Sequence, residues 1–152
     1  MKPLIVLVVV FVVAMGVTWL GGSNVNYSLS GAIAMSAMLL LTAFGHFKFE
    51  KGMEAMLPAI IPYKKVVVFS TGIIEIAAAI GLLIPQLKQV TAWLLIIFFI
   101  LILPANISAA LRRIDYQKGT PEGPGTSYLW FRIPLQLFFI AWVYFFLIWL
   151  NK

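Results

Sequence analysis

The chain has 152 residues, 62% of them hydrophobic and 11% charged, with a mean hydropathy of +1.03. A soluble domain runs nearer about 45–50% apolar and about 25% charged, so the composition points to an integral membrane protein with little chain left for a soluble domain. The net charge of +6 lies in the connections between apolar runs, which removes nucleic acid as a partner, and the lack of cysteine removes disulfides, thiol redox chemistry and thiolate metal sites.

Five segments are long and apolar enough to cross a bilayer, a task that takes roughly 20 residues: Pro3–Gly22, Leu29–His46, Val66–Pro85, Val90–Leu111 and Ile133–Leu150. The first reads as a retained helix. Lys2 and the apolar core fit a signal peptide, but no A-x-A cleavage site precedes Ser23 and the core is longer than the usual leader. The connection Ser23–Ser28 is short and uncharged, so the first two helices form a hairpin. The second is rich in small residues (Ser30, Gly31, Ala32, Ala34, Ser36, Ala37), and the third has Gly72, Ala77, Ala78, Ala79 and Gly81. The pairs Ala32/Ser36 and Ala77/Gly81 are spaced for close helix approach, which puts these two helices in the middle of the bundle.

Residues 47–65 place Phe49, Met53, Met56 and Leu57 at helical spacing among Lys48, Glu50, Lys51 and Glu54. That pattern predicts a short amphipathic helix on the cytoplasmic surface, ended by Pro58 and Pro62. It serves either as an anchored connector or as a lid or docking surface. Residues 112–127 form a polar Gly/Pro-rich loop, expected to be mobile.

Charge sets the orientation. With the N-terminus cytoplasmic, Lys2, Lys48, Lys51, Lys64, Lys65, Arg112, Arg113, Lys118 and Arg132 all fall inside, leaving Lys88 and Lys152 outside. The positive-inside rule therefore predicts a cytoplasmic (inner) membrane protein with its N-terminus inside and its C-terminus outside. Trp19, Trp93 and Trp149 then fall at outer helix ends, and Tyr128 and Trp130 at an inner one, as interfacial aromatics do.

Glu75 stands alone in the apolar run FSTGIIEIAAAIGLLIP. An ionisable residue near the bilayer centre costs about 2.5–3.5 kcal/mol on the insertion scale, and each strongly apolar residue returns about 0.3–0.6 kcal/mol. Insertion therefore tolerates Glu75, although such residues are rare and usually functional. Thr71, Glu75 and Ala78/Ala79 share one helical face. His46 ends the second helix. Asn106 follows Pro104, which frees the carbonyl of Ile100 for Asn106 to help satisfy. Arg132 and Gln136 share a face at the entrance of the fifth helix, with Pro134 in its first turn. Topology brings these groups to overlapping depths in the cytoplasmic half. Each also has a structural reading: Arg132 snorkels, His46 caps a helix end, and Asn106 and Gln136 fasten helices.

The stretches AFGHFKF, the Pro58/Pro62 turn, TGIIEI, LPANI and FRIPLQ resemble, in order and spacing, the DoxX-like membrane proteins. Members of that family read close to GxxHF, a proline-rich turn, SGxxEI, PANI and RLPLQ. Here Ala43 replaces the family's glycine and Thr71 its serine, and the likeness runs from Ala43 to Trp142. It implies a four-helix core within residues 29–152, with residues 1–28 an added N-terminal helix. The expected fold is thus an all-α, single-domain, compact bundle of five transmembrane helices. The family's polar positions fall on His46, Glu75, Asn106, Arg132 and Gln136, with Thr71 and Pro104 completing the motifs. Resemblance implies quinone-linked or oxidative-stress redox complexes in some members and receptor-assembly chaperones in related animal proteins.

Three functions follow as expectations. The first is an accessory subunit of a membrane redox system that binds a quinone or other lipophilic ligand at Glu75, His46, Asn106, Gln136, Arg132 and Thr71. Its partner would be a membrane or cytoplasmic redox protein. In it Glu75 exchanges a proton, His46 relays it, Asn106 and Gln136 orient a carbonyl, and Arg132 pairs with Glu75 or an anionic group. The second is a non-enzymatic assembly factor or scaffold, and the third a small proton-coupled transporter. One histidine and no clustered ligands leave no metal expected.

Overall fold

A computed structural model describes residues 2–21 and 24–151, and among these the chain is all-helical apart from its turns and loops, with no strand beyond an isolated bridge between Asp115 and Thr120. Gly22, Ser23 and Lys152, assigned from the sequence to the end of the first helix, the first connection and the outer C-terminus, lie outside the described residues. The helices are α1 (Lys2–Gly21), α2 (Tyr27–Lys48), α3 (Glu50–Met56), α4 (Lys64–Gly81), α5 (Pro85–Leu111) and α6 (Leu129–Trp142). A 3-10 turn, Gly125–Tyr128, leads into α6, which continues through a π-helical stretch, Val143–Ile148, and a last 3-10 turn, Trp149–Asn151. Among the described residues four helical stretches are long and apolar enough to cross a membrane: α1, α2, α5 and Gly125–Asn151. By the same measure α4 falls outside that set; it carries Lys64, Lys65 and Glu75 within 18 residues.

α1 is apolar all round. It buries only Leu7 and Ala14, while Ile5, Val8, Val9, Val12 and Val13 face outward. Its Phe11 ring meets Trp142 edge-on at 4.8 Å and Phe146 at 4.9 Å. α2 starts at Tyr27, two residues before the expected Leu29, because the Asn26 side chain accepts a hydrogen bond from the Leu29 N–H at 2.9 Å and so caps the first turn. α2 packs between α1 and α4, and its small residues allow it. A Cβ on Gly31 would lie 2.6 Å from Phe146 Cβ, and the Ser36 hydroxyl donates to the Ala79 carbonyl at 2.8 Å. The α2–α4 contact therefore runs through Ser36 and Ala79. Ala77 is exposed and takes no part in it, and Gly81 packs instead against Thr91 of α5.

Two prolines sit differently from expectation. Pro85, read as the end of the third helix, is the first residue of α5, where its fixed φ and missing N–H fit. The break is the short turn Leu82–Ile84, itself apolar. Pro134, read as a first-turn proline, lies in the second turn of α6, which begins at Leu129. Arg132 is accordingly inside the helix and not at its entrance.

The amphipathic segment forms α3, a single short helix ended by Leu57 and Pro58. Its terminal carbonyls are held from outside: the Arg112 guanidinium donates to Met56 O at 2.6 Å and Leu57 O at 3.0 Å. The exposed pair Lys65–Glu50 at 3.0 Å ties it to α4. Residues 112–127, expected to be mobile, are closed by their own hydrogen bonds. The Asp115 carboxylate accepts from the N–H groups of Gln117 at 2.9 Å and Lys118 at 3.3 Å, the Asp115 N–H donates to Thr120 O at 2.8 Å, and the Gly123 N–H donates to Arg113 O at 2.6 Å. This loop rests on α3, with the Tyr116 backbone against Gly52 so closely that a Cβ there would overlap the Tyr116 carbonyl.

Lys2 lies with the end of α2 around the cavity described below, whereas Asn151 hydrogen-bonds Ser28, near the start of α2, at 2.7 Å. The two ends of the described chain are therefore at opposite ends of the bundle. The core between them is built on Leu7, Met35, Leu39, Leu95, Val143 and Leu147.

Candidate functional site

A cavity of about 310 Å³ opens at the end of the bundle where α1 begins. It lies within the roughly 300–1,000 Å³ usual for small-molecule sites. Its wall comes from the start of α1, the second half of α2, α3, α4 as far as Glu75, the second half of α5, the loop after it and α6 as far as Phe139. Thr71, His46, Glu75, Asn106, Arg132 and Gln136 all line it, and Gly72 lets α4 pack against His46 and Phe47 of α2.

The hydrogen bonds fix how the polar groups are set. The Thr71 hydroxyl lies 2.8 Å from the Val68 carbonyl and 3.1 Å from His46 Nδ1. A hydroxyl has one hydrogen; given to Val68, it leaves Thr71 Oγ1 to accept from Nδ1–H, which turns Nε2 toward Glu75. Nε2 stands 3.6 Å from Glu75 Oε1, within ion-pair reach and just beyond a hydrogen bond. Glu75 is 4% exposed. Its second oxygen, Oε2, is buried and has no hydrogen-bond partner among the described residues.

Asn106 is oriented from the other side. Arg132 Nη2 donates to its Oδ1 at 3.0 Å. Since a guanidinium only donates, the amide oxygen must face Arg132. Nδ2 is left buried and without a partner among the described residues. The hydrogen bonds of two residues run to partners other than those named first from the sequence. Arg132 pairs with Asn106, not with Glu75. Gln136, expected to orient a ligand carbonyl, gives its amide N–H to the backbone carbonyl of Phe99 at 2.7 Å, one residue before the Ile100 carbonyl that Pro104 was expected to free.

Sequence reasoning missed several residues of the wall. Met53 and Met56 of α3 were legible as an apolar face but not as part of a site. Thr42, one turn before His46, spends its hydroxyl on the carbonyls of Met38 and Leu39. Tyr116 reaches the cavity from the polar loop and carried no signal at all.

The arrangement defines a class: a bundle of apolar, membrane-length helices enclosing one polar-floored cavity at one end. The chain matches the family described as Domain of unknown function (DUF8561) over residues 35–147, most of its length, and belongs to it. That span holds His46, Thr71, Glu75, Asn106, Arg132 and Gln136; α1, with Lys2 of the cavity lining, lies before it. No curated protein and no solved structure matches the chain.

Proposed function

We propose that this protein holds a small lipophilic, quinone-like ligand in the cavity and serves a membrane redox system as an accessory subunit. The observation that carries the reading is the cavity's lining, which gathers His46, Thr71, Glu75, Asn106, Arg132 and Gln136 among apolar side chains at one end of the bundle. Small-molecule sites are mostly apolar with a few placed polar groups, and this lining has that make-up. His46, 18% exposed at its side chain, stands between Glu75 and the cavity rim and suits proton exchange with the carboxyl group. The relation to DoxX-like proteins belongs to this proposal. Of the stretches that carry the resemblance, His46, Thr71, Glu75, Asn106, Arg132 and Gln136 line the cavity.

The topology is part of the same reading. α4 crosses the membrane as the fifth span, its apolar residues outweighing Glu75 and its two lysines lying at the rim. With Lys2, Lys48 and Arg132 around the cavity, its mouth faces the cytoplasm and α3 lies on that surface, leaving the C-terminus outside.

A second reading, a non-enzymatic assembly factor, is favoured by Gln136 and Ser36, whose side chains are spent on backbone carbonyls of neighbouring helices. Native mass spectrometry of protein released gently from its own membranes separates the two. A small-molecule adduct in the wild type that is lost in Glu75→Gln is the expected result. Absence of any adduct, with one protein partner retained by both forms, would replace the ligand-binding reading with the assembly factor.

A further inference from the structure

The cations of the cavity outnumber its acids. Lys2, Lys48 and Arg132 line it, and Glu75, which already faces His46, is the one carboxyl group of the lining. Among the described residues none of the three cations has an acidic partner, since the ion pairs are His46–Glu75 and Lys65–Glu50. For the two lysines, both exposed, the positive-inside rule is reason enough. Arg132 is different. Its side chain is half-buried and bonds into the bundle, where Nη2 donates to Oδ1 of the buried Asn106. A neutral amide fixes the guanidinium without neutralising its charge. Nε and Nη1 make no hydrogen bond among the described residues, and neither is a buried unsatisfied atom, so both are accessible. The spaces that Arg132 borders are this cavity and an adjoining pocket of about 30 Å³, room for a water or two and for no organic group. Lys48 Nζ stands 5.7 Å from the Phe44 ring and 5.6 Å from the Phe49 ring. Both rings belong to the lining, so this contact keeps the ammonium beside the cavity.

Resting on the ligand-binding reading above, we infer that the lipophile carries an anionic head, a carboxylate or a phosphate, whose oxygens accept from the free N–H groups of Arg132. Lys2 and Lys48 add attraction, and the apolar part lies against Met38, Phe99, Leu135 and Phe139. Hydrogen bonds between a guanidinium and such an anion are about twice as strong as neutral ones, whereas a cationic head would meet three like charges. Two sources fit this chemistry: a free anionic amphiphile, and the phosphate headgroup of a membrane lipid.

The test uses the full chain in phosphatidylcholine nanodiscs, whose lipid has no net charge, and two probes of one shape, 2-naphthoate and the neutral 2-naphthamide. Equilibrium dialysis against empty nanodiscs removes partition into lipid. At neutral pH naphthoate should bind about tenfold to a hundredfold more tightly than the amide, the worth of a hydrogen bond between charged groups. Arg132→Gln should abolish that preference. Lys88→Gln, which removes the same charge beside Ser28 at the other end of the bundle, should keep it. Should Arg132→Gln fail to fold, Lys2→Gln with Lys48→Gln, both at exposed positions, should lower the preference severalfold. Adding phosphatidylglycerol to the nanodiscs separates the two sources: displaced naphthoate marks a lipid headgroup as the occupant, and undiminished binding marks a free amphiphile. Equal binding of the two probes, a preference lost in Lys88→Gln, or one untouched by the lysine pair would overturn the inference while leaving the cavity a lipophile site. Binding of neither probe would overturn both.

Discussion

Replacing Gly52 by alanine should release α3 and the loop after α5 from each other without unfolding the bundle. Gly52 is buried against the Tyr116 backbone, and an added Cβ would overlap the Tyr116 carbonyl oxygen and come within 2.6 Å of its carbonyl carbon. The obstacle is main chain, so no rotamer change relieves it, and the two segments must separate by well over 1 Å to reach ordinary contact distance. Overpacking of this kind costs about 1–3 kcal/mol. Neither segment contributes to the helix core around Met35, Leu39 and Leu147, so the cost falls on local opening. The bonds at risk are those from Arg112 to Met56 and Leu57 and the Asp115–Thr120 pairing. Hydrogen exchange read by mass spectrometry in nanodiscs should show amides of residues 50–57 and 115–120 exchanging roughly fivefold to a hundredfold faster, with α2 and α5 unchanged. Unaltered protection in both segments would refute the close packing of Gly52 on Tyr116. Protection lost throughout α2 and α5 would refute the separation of this clasp from the core.

Other perturbations probe the helix contacts. Ser36→Ala removes the buried bond to Ala79 and should lower stability in a denaturing-detergent titration by about 0.6 kcal/mol, and by no more than about 1.7 kcal/mol. Gly31→Ala puts a methyl 2.6 Å from Phe146 Cβ, beside the Trp142 indole N–H that donates to Gly31 O at 3.3 Å; a loss of about 1–3 kcal/mol with a change in tryptophan fluorescence is expected. Arg112→Met removes the donors from the end of α3 and should destabilise that helix alone by about 1 kcal/mol, seen as faster exchange at residues 54–57. A double-mutant cycle between Arg132→Met and Asn106→Leu should return a coupling of about 1 kcal/mol or more for a charge-assisted hydrogen bond; additive effects would show that the two side chains do not act together.

The long apolar helices and six of the polar residues that line the cavity, His46, Thr71, Glu75, Asn106, Arg132 and Gln136, were legible because both rest on contrast. Long apolar runs stand out from polar connections, and a carboxylate or amide stands out inside such a run. Where contrast fades, so does legibility. From Val66 to Leu111 the chain stays mostly apolar through its turn, with Leu82 of that turn fully buried, so hydropathy gave no boundary and Pro85 was assigned to the wrong helix. Likewise Leu129 to Phe131 are as apolar as a helix interior, which hid the turn that precedes Arg132. Partnerships were harder still. Whether Arg132 reaches Glu75 or Asn106, and whether Gln136 faces a ligand or the Phe99 carbonyl, depends on helix rotation and crossing, which spacing within one helix does not encode. Tyr116 illustrates the limit, since only the closing of the Asp115 loop over α3 carries it to the cavity.

The π-helical stretch Val143–Ile148 has a consequence for how this chain can change length. An uninterrupted α-helix would carry the buried face from Phe139 and Trp142 on to Phe146 and Leu150. Instead Leu147 and Ile148 are buried and Leu150 is exposed, because closing hydrogen bonds from i to i+5 takes up one surplus residue. A deletion of one residue there can be absorbed by closing the wide turn to an ordinary one. The same deletion between Leu129 and Trp142 would turn Arg132 and Gln136 by roughly 100° relative to the rest of the helix. The last helix thus has slack built into its distal third, and insertions or deletions arising there leave the angular position of its cavity residues untouched.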